Sequence, residues 1–373
     1  MERVKLKDIC RLINGRAYKQ EELLDSGKYP VLRVGNFFSD KDFYYSDLEL
    51  EEDKYCDNGD LLFAWSASFG PKIWDGEKVI YHYHIWKMEL TDRVNKEFLF
   101  YYLFHLSERI KSEGHGGIMI HTTKAEMEER EFNLPTHEEQ IAISEILNKV
   151  KSVIDKRKEE LSALDDLIKA RFVEMFGDMV TNYNGWKSVL LGEACDVRDG
   201  THDSPQYYLE GYPLVTSKNI TGGKIDFTDC SLICEEDYNK INQRSKVDYG
   251  DILMPMIGTV GKPVIVDMDE KFAIKNVALI KFRDNSVVIN SFVKALLESD
   301  YFDRAVISKI RGGTQKFISL GDIRKLEICL PPISMQEQFA DFVKQVNKSK
   351  FAVQKTLEQT QTLFDSLMQK YFG

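Results

Sequence analysis

Arg311-Gly312-Gly313-Thr314-Gln315-Lys316 is the stretch of this chain best suited by residue type to gripping a polar surface. Its two glycines let backbone N–H groups come close to an anion, and Arg311 and Lys316 add charge. The Gln315 amide is able to make a bidentate contact with a base edge. An earlier counterpart is His115-Gly116-Gly117, followed by His121 and Lys124. Other polar candidates occupy matched places: Ser66 and Ser68 against Thr259, Arg33 with Asn36 against Lys218 with Asn219, and Lys275-Asn276. A Gly-Gly pair alone is more often a plain turn. The chemistry these residues offer is surface recognition rather than bond making.

Signatures of catalysis are missing. Gly258-Thr259-Val260-Gly261-Lys262 is reminiscent of a phosphate loop, but residue 256 is Met where that loop needs Gly, and Pro263 replaces its Ser or Thr. No Gly-x-Ser-x-Gly elbow, His-Glu-x-x-His or dinucleotide fingerprint occurs. The only Pro-Pro, Pro331-Pro332, stands before a helix and not in an Asn-Pro-Pro-Tyr segment of the kind an adenine methyltransferase uses. His82 and His84, two residues apart, are expected to share one face of a strand as ordinary strand residues. Six scattered cysteines, with only Cys230 and Cys234 close together, fit reduced thiols better than a zinc site.

The net charge of −10 counts against a simple DNA-binding domain. Residues 1–136 carry 19 basic and 25 acidic side chains, and residues 179–330 carry 19 and 21, so any basic surface must be a local patch. No basic-then-apolar leader and no long apolar run is present, and the expected location is the cytoplasm, away from membranes.

The elements that position these residues come twice. Leu134-Pro135 recurs as Leu330-Pro331, Gln140 as Gln336, Gly116-Gly117 as Gly312-Gly313 and Phe176-Gly177 as Phe372-Gly373, all at an offset of 196. Nearer the start of each half the offset shrinks: Gly59-Asp60-Leu61-Leu62 matches Gly250-Asp251-Ile252-Leu253 at 191, and Asn36 matches Asn219 at 183. Loop insertions in a shared fold produce such a drift. Between these anchors the side chains differ widely. Each half reads as a short helical opening (Leu6–Cys10; Leu190–Cys195), β-branched runs (Tyr29–Val34, Lys78–Met88; Leu214–Ser217, Ala273–Phe282), an aromatic-rich helix (Phe98–Leu106; Phe292–Leu297), the Gly-Gly loop and a last strand, an α+β lobe.

After each lobe the apolar period becomes seven. Ile143, Leu147, Val150, Ile154, Leu161, Leu164, Ile168 and Met175 alternate steps of four and three, as do Phe339, Val343, Val346, Val353, Leu357, Phe364, Leu367 and Tyr371. Sustained heptads predict coiled-coil helices. About 39 residues at ~1.5 Å each give a rod of roughly 58 Å. The two seams are expected to bury each other in an antiparallel pair, with one lobe at each end and a pseudo-twofold axis between the halves. A second apolar flank (Ile141, Ile146, Val153, Leu167, Phe172; Phe342, Phe351, Leu363, Met368) either receives helices from a partner or packs on the chain's own lobes.

At this point the whole chain resembles the specificity (S) subunits of type I restriction-modification systems. The resemblance rests on the order lobe, helix, lobe, helix, and on two junctions. One runs from Gly312-Gly313-Thr314-Gln315-Lys316-Phe317-Ile318 to Leu330-Pro331-Pro332 and Gln336-Glu337-Gln338; the other runs from Leu134-Pro135 to Glu138-Glu139-Gln140. The first copy departs from the pattern, with Thr136 for the second Pro and Gly-Gly-Ile-Met-Ile for Gly-Gly-Thr-Gln-Lys. The resemblance implies two target-recognition domains (1–136 and 179–332), each reading half of a bipartite sequence in double-stranded DNA. It implies spacer helices (137–178 and 333–373) that dock two methyltransferase (M) subunits, with or without restriction (R) subunits. The chain itself would be non-catalytic and hold no cofactor; S-adenosylmethionine, ATP and Mg would bind the partner subunits. The rival reading is a coiled-coil adaptor for proteins without DNA specificity.

Overall fold

The computed structural model describes residues 2–39, 41–66, 69–113, 122–257, 261–283, 286–307 and 317–373. It divides into two compact units, Met1–Arg157 with Thr356–Gly373, and Lys158–Lys355.

In the first unit the strands are β1 (Glu2–Lys5), β2 (Cys10–Asn14), β3 (Tyr29–Leu32), β4 (Tyr44–Ser46), β5 (Tyr55–Cys56), β6 (Leu61–Ala64), β7 (Gly70–Ile73), β8 (Val79–Tyr81), β9 (Ile85–Leu90) and β10 (Glu131–Leu134). The helices are α1 (Val34–Phe37), α2 (Lys96–Glu113), α3 (Lys124–Glu128) and the first part of α4 (His137–Phe176). One antiparallel sheet has the order β2-β9-β6-β7, and a second, β4-β3-β8-β5, contains the parallel pair β3–β8. β1 pairs with β10 and closes the lobe.

The second unit repeats this plan. It has β11 (Ser188–Leu190), β12 (Asp196–Asp199), β13 (Tyr212–Val215), β14 (Ile220–Thr221), β15 (Lys224–Ile225), β16 (Ser231–Ile233), β17 (Ile252–Pro255), β18 (Val264–Ile265), β19 (Ala273–Ile274), β20 (Val277–Lys281) and β21 (Glu327–Cys329). Its helices are α5 (Leu191–Ala194), α6 (Glu235–Ser245), α7 (Asn290–Leu297), α8 (Asp300–Ala305), α9 (Leu320–Arg324) and α10 (Ile333–Phe372), the last shared with the first unit. The sheet β12-β20-β17-β18 matches β2-β9-β6-β7, and β16-β13-β19, again with a parallel β13–β19 pair, matches β4-β3-β8 without a fourth strand among the described residues.

The Gly-Asp-Leu-Leu and Gly-Asp-Ile-Leu anchors lead into β6 and β17, which are buried along their whole length. Alternate residues serve two cores: Leu61 and Phe63 face the cluster under α2, while Leu62 and Ala64 face the second sheet. A strand covered on both faces reads as an unbroken apolar run. The aspartate of each anchor accepts a backbone N–H three residues before it (Asp57 to Asp60 and Asp248 to Asp251, both 2.8 Å). Each also meets a lysine from the neighbouring strand (Lys87–Asp60, 2.7 Å; Lys281–Asp251, 2.5 Å).

The repeated glutamine has an equally definite role. Gln140 takes the N–H of Asn95 (2.7 Å) and donates to the carbonyls of Arg93 (3.1 Å) and Pro135 (3.0 Å). Gln336 takes the N–H of Ile289 (2.9 Å) and donates to Val287 (3.1 Å) and Pro331 (2.9 Å). Both side chains are buried, and each ties the first turn of a long helix to the loop before the lobe's aromatic helix.

The short helical openings of the lobes are present as one turn each, Leu6–Asp8 and α5, each preceded by a short strand. One expectation needs correction: Lys78–Met88 and Ala273–Phe282 are not single strands. Each breaks at a corner, because β8 and β19 pair in one sheet while β9 and β20 pair in the other. His82, bridged to Arg16, and His84, in the turn that follows, therefore share no strand face.

α4 and α10 are continuous helices of 40 residues each. In the first unit Leu147 and Ile154 of α4 cluster with Phe364 and Met368 of α10 and Tyr101 of α2. In the second, Phe172 of α4 packs against Phe339 of α10 (ring centres 5.7 Å apart) and Asp165 pairs with Lys350, so the two segments there run in opposite directions. On the second apolar flank, Phe172 and Met368 are buried within their own units. Ile141, Ile146, Val153, Leu167, Phe351 and Leu363 remain exposed.

Candidate nucleic-acid interface

The corner between the two sheets is built by the same backbone bonds in both lobes. In the first, Arg16 donates to Tyr81 O (3.0 Å), Tyr83 to Arg16 O (3.1 Å), His82 to Leu32 O (2.9 Å) and Gly15 to Ile85 O (3.2 Å). In the second, Thr201 donates to Ile274 O (3.0 Å), Asn276 to Thr201 O (3.2 Å), Lys275 to Val215 O (2.9 Å) and Gly200 to Val277 O (3.1 Å). Glycine is required where the strand passes the corner. A Cβ on Gly15 would lie 2.2 Å from Tyr81 O, and one on Gly200 would lie 2.2 Å from Ile274 O. The backbone is thus common to both lobes, and the side chains it displays are not.

The first corner carries aromatic rings. Tyr83 is exposed, and His82 and His84 are half-buried. Trp65 backs them: its indole N–H donates to Tyr83 O (2.8 Å), its backbone N–H to His84 O (3.1 Å), and its ring lies 4.9 Å from that of His84. Arg33 stacks over Tyr44 at 5.3 Å. Burial, with His84 and Arg33 adding to it, holds the His82 imidazole down at about 4, and burial followed by Arg33 lowers His84 as well. These rings are neutral at pH 7 and present hydrogen-bonding edges rather than charge. Arg16 is engaged by Glu22 through two bonds of 3.0 and 2.7 Å.

The second corner is polar. Lys275 Nζ donates to Ser204 Oγ (2.5 Å). Asn276 has φ +54°, a conformation that Asn tolerates better than most residues, and its Oδ1 lies 2.7 Å from His202 Nδ1. His202 Nε2 lies 2.8 Å from Oδ2 of the buried Asp199, whose other oxygen pairs with Arg244. A shallow cleft lined by Thr201, Asp203, Lys240 and Arg244 adjoins this chain of contacts.

The other sequence candidates fall into three groups. Asn36 and Asn219 are buried, and their side-chain oxygens accept the N–H of Arg33 (2.7 Å) and Thr216 (3.0 Å), so each amide holds the turn after β3 or β13. Ser66 is buried, whereas Lys124 (3.6 Å from Glu128) and Lys218 are exposed. Ser68, His115, Gly116, Gly117, His121, Thr259 and Arg311–Lys316 lie outside the described residues. The chain re-enters beside the corners: Thr122 donates to Trp65 O (3.4 Å), and Ile318 to Met256 O (2.9 Å). Sequence reasoning missed Trp65, Tyr83, Asp199, His202 and Arg244. The signal available for the corner was a glycine at matched places, Gly15 and Gly200.

Among the described residues no group of three or more His, Cys, Asp or Glu has the arrangement of a metal site, and no helix is long and apolar enough to cross a membrane. Burial pushes the thiols of Cys10 and Cys195 up to about 12, which keeps them protonated and poor nucleophiles.

Comparison with known proteins agrees with a recognition role. The family model for the type I restriction modification DNA specificity domain matches twice, over residues 1–164 and 183–360. The EcoBI specificity subunit of Escherichia coli is 20% identical, over 99% of this chain and 85% of that protein. The MjaVIII specificity subunit of Methanocaldococcus jannaschii is 24% identical, over 93% and 86%. The crystal structure of a type I system S subunit from M. genitalium superposes with a TM-score of 0.56 at 16% identity, covering 100% of this chain and 96% of that one. A chain from a structural study of type I R-M complex assembly and conformational transition gives 0.53 at 19% identity, over 100% and 97%. With two specificity domains spanning most of its length, the chain belongs to the type I restriction-modification DNA specificity family, as a non-catalytic subunit that confers DNA sequence specificity.

Proposed function

We propose that each lobe reads one half of a bipartite target in double-stranded DNA, residues 1–136 one half and 179–332 the other. The observation that carries this reading is the pair of corners: one backbone frame presents His82-Tyr83-His84 in the first lobe and Lys275-Asn276 in the second. Corners held by corresponding backbone bonds but displaying different side chains, three residues in one and two in the other, suit two different half-sites. The long helices (137–178 and 333–373) act as an antiparallel coiled-coil spacer that relates the lobes by a pseudo-twofold axis. A spacer of up to roughly 58 Å would span one to two turns of DNA at about 34–36 Å per turn. The exposed flank of Ile146, Val153 and Leu167 receives two methyltransferase subunits in the cytoplasm. Those partners, joined or not by restriction subunits, would hold S-adenosylmethionine, ATP and Mg. They would also supply much of the phosphate neutralisation that a chain of net charge −10 lacks.

The test is a methylome of cells carrying this gene with its methyltransferase, compared with a deletion and with an exchange of residues 1–136. The deletion should remove adenine methylation at one bipartite motif, and the exchange should change one half of it. Removing a heptad from both helices should alter the gap and leave both half-site sequences as they were. An exchange that changes both halves, or neither, would refute the reading. The protein-adaptor alternative predicts no sequence-dependent DNA binding with or without partners, and the family assignment does not favour it.

A further inference from the structure

The second corner contains a polar relay that runs from α6 and β12 outward to the turn between β19 and β20. Arg244 pairs with Oδ1 of Asp199, which is 5% exposed; Asp199 Oδ2 meets His202 Nε2 at 2.8 Å, and His202 Nδ1 meets the Asn276 amide at 2.7 Å. The first three members come from β12, the loop after it and α6. The fourth stands on the outer turn of the corner with φ +54°, its backbone N–H already given to Thr201 O at 3.2 Å. The Asp199–Arg244 pair ties β12 to α6, but beyond it the relay runs outward and, unlike the buried Asn219, ends on a half-exposed amide.

Hydrogen-bond accounting shows what that amide has left to offer. An ionised carboxylate only accepts, so Nε2 of His202 carries a proton. If Nδ1 is bare it accepts from the Asn276 Nδ2, which leaves one N–H and the whole carbonyl oxygen free. If Nδ1 is protonated it donates to Oδ1, which leaves one lone pair and both N–H groups free. Either way, one donor and one acceptor stay available side by side. Adenine presents the complementary pair on its major-groove edge, the N7 acceptor and the N6 donor.

We propose that Asn276 reads an adenine in the second half-site and that His202 is its positioning residue, fixed in turn by Asp199 and Arg244. This rests on the two-lobe reading above and deepens it. Asn276 is a base-reading group and not a phosphate contact, so its removal changes sequence discrimination and leaves the salt dependence of binding alone.

The experiment uses the chain assembled with its methyltransferase subunits and DNA duplexes of the target found by methylome. The exchange of residues 179–332 comes first. If the second half-site does not follow the lobe, the two-lobe reading fails, and this inference falls with it. If it does follow, Asn276→Gly is compared with wild type, since glycine accepts the positive φ without strain. Each adenine of the second half-site is replaced in turn by 7-deazaadenine, which lacks the N7 acceptor. At one adenine the wild type should lose about 10- to 100-fold in affinity and Asn276→Gly nothing further, with the first half-site read as before. His202→Ala should lose part of that discrimination, and His202→Asn, whose amide can occupy the place of Nδ1, should restore it. The proposal is overturned if 7-deazaadenine costs wild type and Asn276→Gly equally at every position, or if Asn276→Gly weakens both half-sites alike.

Discussion

Replacing Gln336 with Ala isolates the tie between a long helix and its lobe. The side chain makes three bonds, from Ile289 N–H and to the carbonyls of Val287 and Pro331, and is 0% exposed. At about 1 kcal/mol net per bond the loss would be about 3 kcal/mol. Leaving a buried N–H without a partner adds to this figure, and a water entering the vacated space reduces it, so about 2–4 kcal/mol is expected. For a unit of this size that lowers the melting temperature by roughly 2–4 °C per kcal/mol. Gln338→Ala is the control, because Gln338 stands exposed on the same turn of α10 and should change stability by less than about 0.5 kcal/mol. Denaturant melts give the difference, and hydrogen exchange at the Ile289 amide locates it. If Gln336→Ala and Gln338→Ala agree within about 1 kcal/mol and Ile289 stays protected, the three-bond tie contributes nothing and the reasoning is wrong.

Gly15→Ala and Gly200→Ala each force a Cβ onto a carbonyl oxygen 2.2 Å away. Each should cost about 1–3 kcal/mol in thermal melts and impair only its own lobe's half-site in binding assays. His82 offers a pH test, since its folded value of about 4 lies below the ordinary 6.5 through burial, His84 and Arg33. The unfolded chain takes up the proton first, so the first lobe loses stability as pH falls from about 6.5 to about 4, and His82→Gln should flatten that part of the profile. Unchanged curvature in the variant would show that other groups carry it. Glu at Ile146, Val153 and Leu167, all exposed, should leave melting of the isolated chain nearly unaltered and abolish co-purification with the methyltransferase subunits.

Much of the frame could be read from the sequence, because its signals are local or repeated. The seam of α4 rests on steps of four and three, and such a pattern survives without knowledge of tertiary contacts: Leu147 and Ile154 are buried where it places them. Gln140 and Gln336 stood out by their common offset, although their bonds to the loops of Arg93 and Val287 did not. The corners escaped notice because a strand that changes sheets stays apolar on both sides of the break, so Lys78–Met88 reads as one run. Asn36 and Asn276 show a second limit. Both are amides at turns, but one is buried on a backbone N–H and the other stands half-exposed at the end of a relay. Residue type alone does not distinguish a brace from a reader. His202 was missed for a related reason, since Asn276 and Arg244 lie far from it in the chain.

The glutamine tie also sets a rule for changes in length. It pins the first turn of α4 and of α10, so everything beyond it inherits a fixed rotational phase. One residue inserted after Gln140 would swing the rest of α4 by about 100° and take Leu147 and Ile154 off the face that meets Phe364 and Met368. Seven inserted residues bring that face back to within ~20°. Descendants of this chain can therefore lengthen or shorten their helices only in steps that bring this face back, such as seven or eleven residues. The distance between half-sites should then change in discrete jumps, about 10 Å for seven residues and about 16 Å for eleven, instead of drifting base pair by base pair.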